Sequence, residues 1–250
     1  MEWYMILALM GTGLVAGFIN TNAGGGSTLA LPMLIFLGLP ANVANGTNRV
    51  AILLQNVIGV RTFHKKKVLN FMTDYRLAIP AIIGSLVGAF VAVEINPDVL
   101  KKIIAGLMVF MLLIVVLKPE VWINEHAGEV AAKPTTLQYF IFFLIGIYGG
   151  FIQMGVGFLL LAGLVLGCGH ELVKANAVKV FIVLIYTIFS IGIFMYHDQV
   201  NWIAGLILAA GNMCGAWLGV HFAVKGGAKY VRYVLILALI VVILNLFGLF

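Results

Sequence analysis

The sequence contains little charge. Only 10% of its residues are Asp, Glu, Lys or Arg, whereas 63% are hydrophobic, and its mean hydropathy is +1.12. Soluble globular domains carry about 25% charged residues, and a soluble fold could not bury this much apolar surface. The chain is therefore expected to be an integral membrane protein. Its net charge of +6 then indicates on which side of the membrane the loops lie, and predicts no nucleic-acid partner.

Residues for catalysis and metal binding are also scarce. The two cysteines, Cys168 and Cys214, lack metal-ligand spacing, and the five histidines form no HExxH pattern. There is no Walker motif, and no Ser/His/Asp or Cys/His set can be assembled. We therefore expect no enzyme, no cofactor and no metal site. Because the N-terminus begins with Glu2 and lacks a basic segment, a cleaved signal peptide is not expected.

Membrane spans are predicted where roughly 20 mostly apolar residues follow one another. Six such segments cover residues 42–62, 75–94, 99–117, 173–196, 202–223 and 230–250. Two further regions, 3–37 and 137–168, are longer than one helix and shorter than two. Each divides at glycines into a long piece (3–20 and 137–154) and a short piece (27–37 and 156–167).

The two halves of the chain resemble each other. The motif Gly17-Phe18-Ile19-Asn20 returns as Gly150-Phe151-Ile152-Gln153, and a constant offset of 131 then aligns Asn45 with Asn176 and the pair Gly84 and Gly88 with Gly215 and Gly219. Matches in one order and one register predict a tandem duplication. The predicted parts are a first half at 1–117, a cytoplasmic linker at 118–136 and a second half at 137–250. The two glycine pairs are interpreted as helix-packing positions.

Loop charge predicts the topology, since Lys and Arg favour the cytoplasmic side. If each broken region is a hairpin, loops 61–76, 118–136, 168–174 and 224–232 lie on one side with 11 basic residues, and the other side holds only Lys101 and Lys102. If each broken region crosses the membrane once, the split is 7 to 6. The hairpin arrangement is favoured, and it gives each half an odd number of crossings. The predicted fold is thus an all-α membrane protein of two inverted repeats, each a broken-helix hairpin plus three transmembrane helices.

Inverted repeats that each contain a broken helix are typical of secondary transporters, with the breaks near the bilayer midplane. Glycines at a break let the chain turn and let a ligand approach the backbone. The free N–H groups of a helix that begins near Ser27 favour an anion.

Two basic residues, Arg49 and Lys179, are predicted about two turns inside their spans, where charged residues usually mark a pathway. Snorkelling to a headgroup, or bonding to backbone carbonyls, remains the alternative. All nine acidic residues lie in loops or at span ends, so the expected cargo is a small anion. The predicted substrate-binding residues are Asn20, Asn22, Gly24, Gly25, Gly26, Asn45, Thr47, Asn48, Arg49, Gln153, Gly155, Gly157, Asn176 and Lys179.

The run GFINTNAGGGSTLALPMLIFLGLPANVANGTN resembles the first signature of the sulfite exporter TauE/SafE family, and YGGFIQMGVGFLLLAGLVLGCGHELVKANAVK resembles the second. The resemblance implies a multi-pass prokaryotic plasma-membrane permease for sulfite or organosulfonates. Three functional hypotheses follow: a secondary transporter with alternating access, an anion channel that uses the same residues as a filter, and a membrane-embedded enzyme or assembly factor. The missing catalytic set disfavours the third. The expected partners are a small anion and the lipid bilayer, and a homodimer is compatible with the sequence.

Overall fold

The computed structural model describes residues 2–69, 75–104, 106 and 134–246, and within these ranges it contains helices and no strands. The first half holds α1 (Trp3–Asn22), α2 (Ser27–Phe36), α3 (Ala41–Lys65) and, after a 3-10 turn at Tyr75–Leu77, α4 (Ala78–Glu94). The second half holds α5 (Thr136–Phe151), α6 (Val156–Ala162) with a π turn at Gly163–Gly167, α7 (Leu172–Tyr196) and α8 (Trp202–Leu246).

Within the described ranges, four helices are long and apolar enough to cross a membrane, namely Trp3–Asn22, Tyr75–Glu94, Leu172–Tyr196 and Trp202–Gly226. This confirms a multi-pass, all-helical membrane protein. α3 is 25 residues long, like α7, but its first third is polar: Asn45, Thr47, Asn48 and Arg49 are all completely buried. α3 keeps these groups inside the bundle, since exposing them to lipid would leave them without partners.

Each broken region folds back on itself. In the first, the backbone of Gly26 packs directly on that of Ala16, which a continuous helix would place about 15 Å away. In the second, Gly163 packs on the ring of Phe142, and Gln138 Nε2 donates a hydrogen bond of 2.6 Å to the carbonyl of Gly167. Both pairs, α1 with α2 and α5 with α6, therefore have the geometry of helical hairpins.

Contacts between the longer helices give their relative directions. The backbone N–H of Asn201 donates a hydrogen bond to Thr47 Oγ1, and the side-chain Nδ2 of Asn212 donates one to Gln55 Oε1. The helix α3 and the first part of α8 therefore run parallel. Along α3 and α7, by contrast, Arg49 contacts Ser190 whereas Gly59 contacts Val180. These two helices therefore run antiparallel.

Close glycine contacts extend this arrangement to the remaining long helices. A Cβ on Gly211 or Gly215 would collide with the backbone of α1, and a Cβ on Gly84 or Gly88 would collide with that of α5. The Cβ atoms on Gly211 and Gly215 would meet the carbonyls of Met10 and Leu14, respectively. Those on Gly84 and Gly88 would meet the carbonyls of Phe143 and Ile147, respectively. α1 thus runs parallel to α8, and α4 runs parallel to α5. The predicted packing role of the glycine pairs is confirmed.

The same contacts correct the register of the internal alignment. Met10 and Leu14 correspond to Phe143 and Ile147, because Gly17 and Gly150 occupy equivalent positions in the repeated motif. Gly84 and Gly88 are therefore the packing counterparts of Gly211 and Gly215, one helical turn before the expected Gly215 and Gly219. Gly219 instead lies beside the side chain of Asn22. Because small residues recur at every turn of these helices, sequence alignment alone cannot distinguish between the two registers.

The predicted loop at 224–232 is wrong. α8 is one helix of 45 residues, so the expected separate spans 202–223 and 230–250 are joined without a turn. A glycine in a helix costs about 1 kcal/mol relative to alanine, so the pair Gly226 and Gly227 weakens the helix without ending it. The predicted span 99–117 is described only in its first part, and nearly all of the predicted linker 118–136 lies outside the described residues.

Candidate functional site

The two chain breaks touch each other. A Cβ on Gly24 would collide with the Cα of Gly157, and a Cβ on Gly157 would collide with that of Gly24. Gly24 has φ +93°, and Gly155, which ends the second break just before α6, has φ +73°. These are left-handed conformations that glycine adopts without steric cost. Glycine is thus required at the first break both for the turn and for the close approach.

Side chains of the first half hold the first break in shape. Asn20 Oδ1 accepts a hydrogen bond of 2.7 Å from the N–H of Gly26, which lies just before α2. Thr28 Oγ1 donates to the carbonyl of Gly25 at 2.7 Å, and Asn48 Nδ2 donates to Ser27 Oγ at 3.2 Å. The break is therefore fixed by α1 on one side and by α3 on the other, and α2 begins at Ser27 as predicted.

The second break is built in a comparable way. The hydroxyl of Tyr148 donates a hydrogen bond of 2.7 Å to the carbonyl of Met154, which satisfies a carbonyl in the turn. Gln153 Nε2 donates to Thr187 Oγ1 on α7 at 2.7 Å. Gln153 occupies the position that Asn20 has in the first motif, so each break carries a buried amide that is tied to its neighbours.

A small cavity of about 20 Å³ lies where the breaks meet. This volume holds about one water molecule, so a larger ligand requires the two breaks to move apart. Both halves contribute to its wall, and none of the described residues that line it is acidic. The lining residues are Asn20, Gly24, Ser27, Ile52, Gln55, Asn56, Gln153, Val156, Gly157, Lys179, Val180 and Val183.

Five of the predicted site residues thus meet at this cavity: Asn20, Gly24, Gln153, Gly157 and Lys179. The sequence analysis missed three polar lining residues, Ser27, Gln55 and Asn56. Gln55 and Asn56 follow Arg49 by about two turns of α3. Amides inside an apolar span are a signal that could have identified them, because polar groups at membrane depth face the protein interior or a pathway.

Lys179 supplies the positive charge of the cavity wall. Its Nζ donates three hydrogen bonds, to the carbonyls of Asn20 and Thr21 at 2.9 and 3.0 Å and to Asn176 Oδ1 at 2.6 Å. These bonds use all three donors of the ammonium group. The side chain is only 2% exposed, so its charge acts in a region from which bulk water is excluded.

Arg49 is placed elsewhere. It does not line the cavity, and it is completely buried between α3, α5 and α7. Its Nη1 donates to Ser190 Oγ at 3.0 Å and to the carbonyl of Gly149 at 3.3 Å, and its Nη2 donates to the carbonyl of Gly150. The guanidinium carbon lies 4.3 Å from the centre of the Phe194 ring. Arg49 and Lys179, both predicted to bind the substrate, therefore do not line one cavity.

The other predicted residues surround the breaks without lining the cavity. Asn22 and Asn45 donate to the carbonyls of Phe18 and Phe151, respectively. Thr47 and Asn176 accept hydrogen bonds from Asn201 and Lys179, and Asn48 donates to Ser27. Gly25 packs against the ring of Phe158, Gly26 against Ala16, and Gly155 forms the turn before α6. These residues form the support of the site.

Two lining amides have unused hydrogen-bonding atoms. Asn56 Nδ2 and Gln153 Oε1 are buried and have no partner among the described residues. The hydroxyl oxygen of Ser27 accepts from Asn48, so the hydroxyl proton is available to a ligand. Buried polar groups are normally paired, and an unpaired one calls for an explanation. A small polar ligand in the cavity would satisfy them.

Charge in the described part of the chain is distributed asymmetrically. Arg49 and Lys179 are its only buried charged residues. The described acidic residues, Glu2, Glu94, Asp98, Glu171 and Asp198, are all exposed. Positive charge at the breaks is therefore not neutralised by a nearby carboxylate of the described part.

Comparison with known proteins agrees with this geometry. The family model described as sulfite exporter TauE/SafE matches residues 9–246. The chain is 26% identical over 247 residues to "Probable membrane transporter protein ORF9" of Sinorhizobium sp, which covers 98% of this chain and 94% of the relative. It is 27% identical to "Probable membrane transporter protein YfcA" of Escherichia coli strain K12, over 90% of this chain and 82% of the relative. No solved structure matches the chain.

Proposed function

Because this chain belongs to the sulfite exporter TauE/SafE family, a class of membrane transporters, we propose that it is a secondary transporter of sulfite or an organosulfonate. The anion binds in the cavity between the two breaks. One observation carries the proposal: the breaks of the two halves meet at a cavity that contains a buried lysine and no acidic residue among its described lining residues.

The proposed architecture is a pair of inverted repeats. Its support is the direction of the helices, because α1, α3 and α8 run one way and α4, α5 and α7 run the other. Each helix of the first set is thereby opposed to its counterpart in the other half. Rocking of one such half against the other around a fixed site gives alternating access to the two sides of the membrane.

The cavity residues have distinct proposed roles. Lys179 provides the charge, and Asn56 Nδ2 and the hydroxyl of Ser27 donate hydrogen bonds to the oxygens of the anion. Gly24 and Gly157 allow the two breaks to come into contact beside the cavity. The three oxygens of sulfite accept hydrogen bonds. They are therefore bound better by a site lined with donors than by a site lined with carboxylates.

The proposed location is the prokaryotic plasma membrane, with the basic loop 61–76 in the cytoplasm. Its support is the five Lys and Arg residues of this loop, whereas the loop 197–201, which contacts the opposite end of α3, contains none.

The direct test is [³⁵S]sulfite uptake into proteoliposomes that contain the purified protein, with protein-free liposomes as control. We expect saturable uptake that accelerates when the vesicles are preloaded with unlabelled sulfite, because a carrier that returns loaded exchanges its substrate. Uptake that follows membrane voltage without saturation or acceleration would instead identify an anion channel with the same filter. Absence of any sulfite or organosulfonate flux contradicts both.

A further inference from the structure

The two buried cations are bonded in a reciprocal way to the broken helices. Arg49, from the first half, donates to the carbonyls of Gly149 and Gly150 in the last turn of α5. Lys179, from the second half, donates to the carbonyls of Asn20 and Thr21 in the last turn of α1. Each cation thus binds the carbonyl end of the helix that precedes the break in the other half.

These carbonyl ends have an electrostatic consequence for the cavity. The last four carbonyls of a helix have no partner within the helix, and the helix dipole places about half a negative charge there. α1 and α5 both end at the breaks, next to the cavity. Two uncompensated carbonyl ends would repel an anion from the position where the proposed function requires it to bind.

A cation at each carbonyl end removes this repulsion. Arg49 does so without touching the cavity, since its Nη atoms are occupied by Gly149, Gly150 and Ser190 and the side chain is 0% exposed. Lys179 does so from the cavity wall, with all its donors occupied by the protein. Each cation can therefore favour anion binding in the cavity while it keeps its hydrogen bonds to the backbone carbonyls.

We propose that Arg49 and Lys179 are reciprocal positioning residues: each neutralises the carbonyl end of the other half's broken helix, and together they make the meeting point of the breaks selective for anions. This inference rests on the proposed anion transport and assigns its selectivity to charges that act through the helix ends. The charge of Arg49, rather than the shape of its guanidinium, then determines anion affinity.

Arg49 gives the cleaner test, because it is remote from the cavity. Sulfite binding to the purified protein is measured by isothermal titration calorimetry for the unmodified chain, Arg49→Lys and Arg49→Met, with the melting temperature recorded for each. We expect Arg49→Met to weaken sulfite binding about tenfold, or about 1.4 kcal/mol, and Arg49→Lys to stay within about threefold, since a charge at a partly buried helix end has an effect of this order. A purely structural role would lower both melting temperatures without separating the two affinities by charge.

Two results overturn the inference while leaving the proposed function intact: Arg49→Met binds sulfite as tightly as the unmodified chain, or Arg49→Lys binds as weakly as Arg49→Met. If Arg49→Met does not fold, Arg49→Gln provides the same test, because it keeps an amide donor for the carbonyls and lacks the charge. Failure of the unmodified protein to bind sulfite or any organosulfonate overturns the proposed function, and this inference with it.

Discussion

The Nζ of Lys179 lies 2.9 Å from the carbonyl oxygen of Asn20, although the two residues are 159 positions apart in the chain. Asn20 also accepts a hydrogen bond from the N–H of Gly26 and donates one to Gln55 Oε1 at 3.2 Å. This one residue therefore joins the charge of the second half, the first break and the polar face of α3. Any movement of one half relative to the other must therefore break or rearrange these hydrogen bonds.

Replacing Lys179 with methionine is expected to abolish sulfite uptake. Among the described residues that line the cavity, Lys179 is the one charged side chain. The variant also leaves three buried acceptors unpaired, at a cost of about 1–3 kcal/mol each. Initial rates of [³⁵S]sulfite uptake in proteoliposomes provide the measurement. Lys101→Met is the matched control, because it removes the same charge from an exposed position. Equal rates for Lys179→Met and the unmodified protein would contradict the role of Lys179.

Local sequence signals predicted the membrane class, the breaks and the start of α2 at Ser27. These signals are low charge, glycine at a tight turn and an apolar segment that resumes after the turn. Each depends on a few neighbouring residues, so it can be recognised without knowledge of tertiary contacts. The resemblance to the TauE/SafE family is confirmed for the same reason, since its motifs are contiguous. The inverted arrangement stays a prediction that helix directions support.

Contacts between residues far apart in the chain could not be predicted from such local signals. Arg49 and the carbonyl of Gly149 lie 100 residues apart, and nothing in either segment indicates that a side chain in one satisfies a helix end in the other. A buried cation looks the same in sequence whether it binds a ligand or a carbonyl. The continuity of α8 was missed because two glycines and nearby charges resemble a loop, whereas a helix tolerates them.

Replacing Asn56 with aspartate is expected to stop anion transport. Asn56 is 2% exposed and lines the same cavity as Lys179, so a carboxylate of nearly identical shape would cancel the charge that attracts the anion. Sulfite uptake in proteoliposomes measures the effect. Asn201→Asp is the control, because Asn201 is exposed and its Oδ1 caps α8 through the N–H of Ala204, a role that aspartate fills equally well. Unchanged uptake in Asn56→Asp would exclude the cavity as the path.

Replacing Gly157 with alanine is expected to separate the two breaks. The added Cβ would collide with the backbone of Gly24, which cannot move aside as a flexible side chain could, and overpacking of this kind costs about 1–3 kcal/mol. We expect a lower melting temperature in detergent together with loss of sulfite uptake. Gly192→Ala serves as control, since an added Cβ there meets nothing within 4 Å and alanine favours the helix. A melting temperature for Gly157→Ala equal to that of Gly192→Ala would contradict the close contact of the breaks.

The hairpin topology places residue 201 outside the cell and residue 66 in the cytoplasm, because α7 separates the basic cytoplasmic loops from the loop 197–201. Single cysteines are introduced as Asn201→Cys and Lys66→Cys, both at exposed positions, in a chain that carries Cys168→Ser and Cys214→Ser. An impermeant maleimide is expected to label the cysteine at 201 in intact cells and the one at 66 only after permeabilisation. This orientation would be excluded if the cysteine at 66 were labelled in intact cells, or if both cysteines were labelled only after permeabilisation. Since α3 and α7 run antiparallel, the end of α3 near residue 66 and the end of α7 near residue 201 must lie on opposite sides of the membrane.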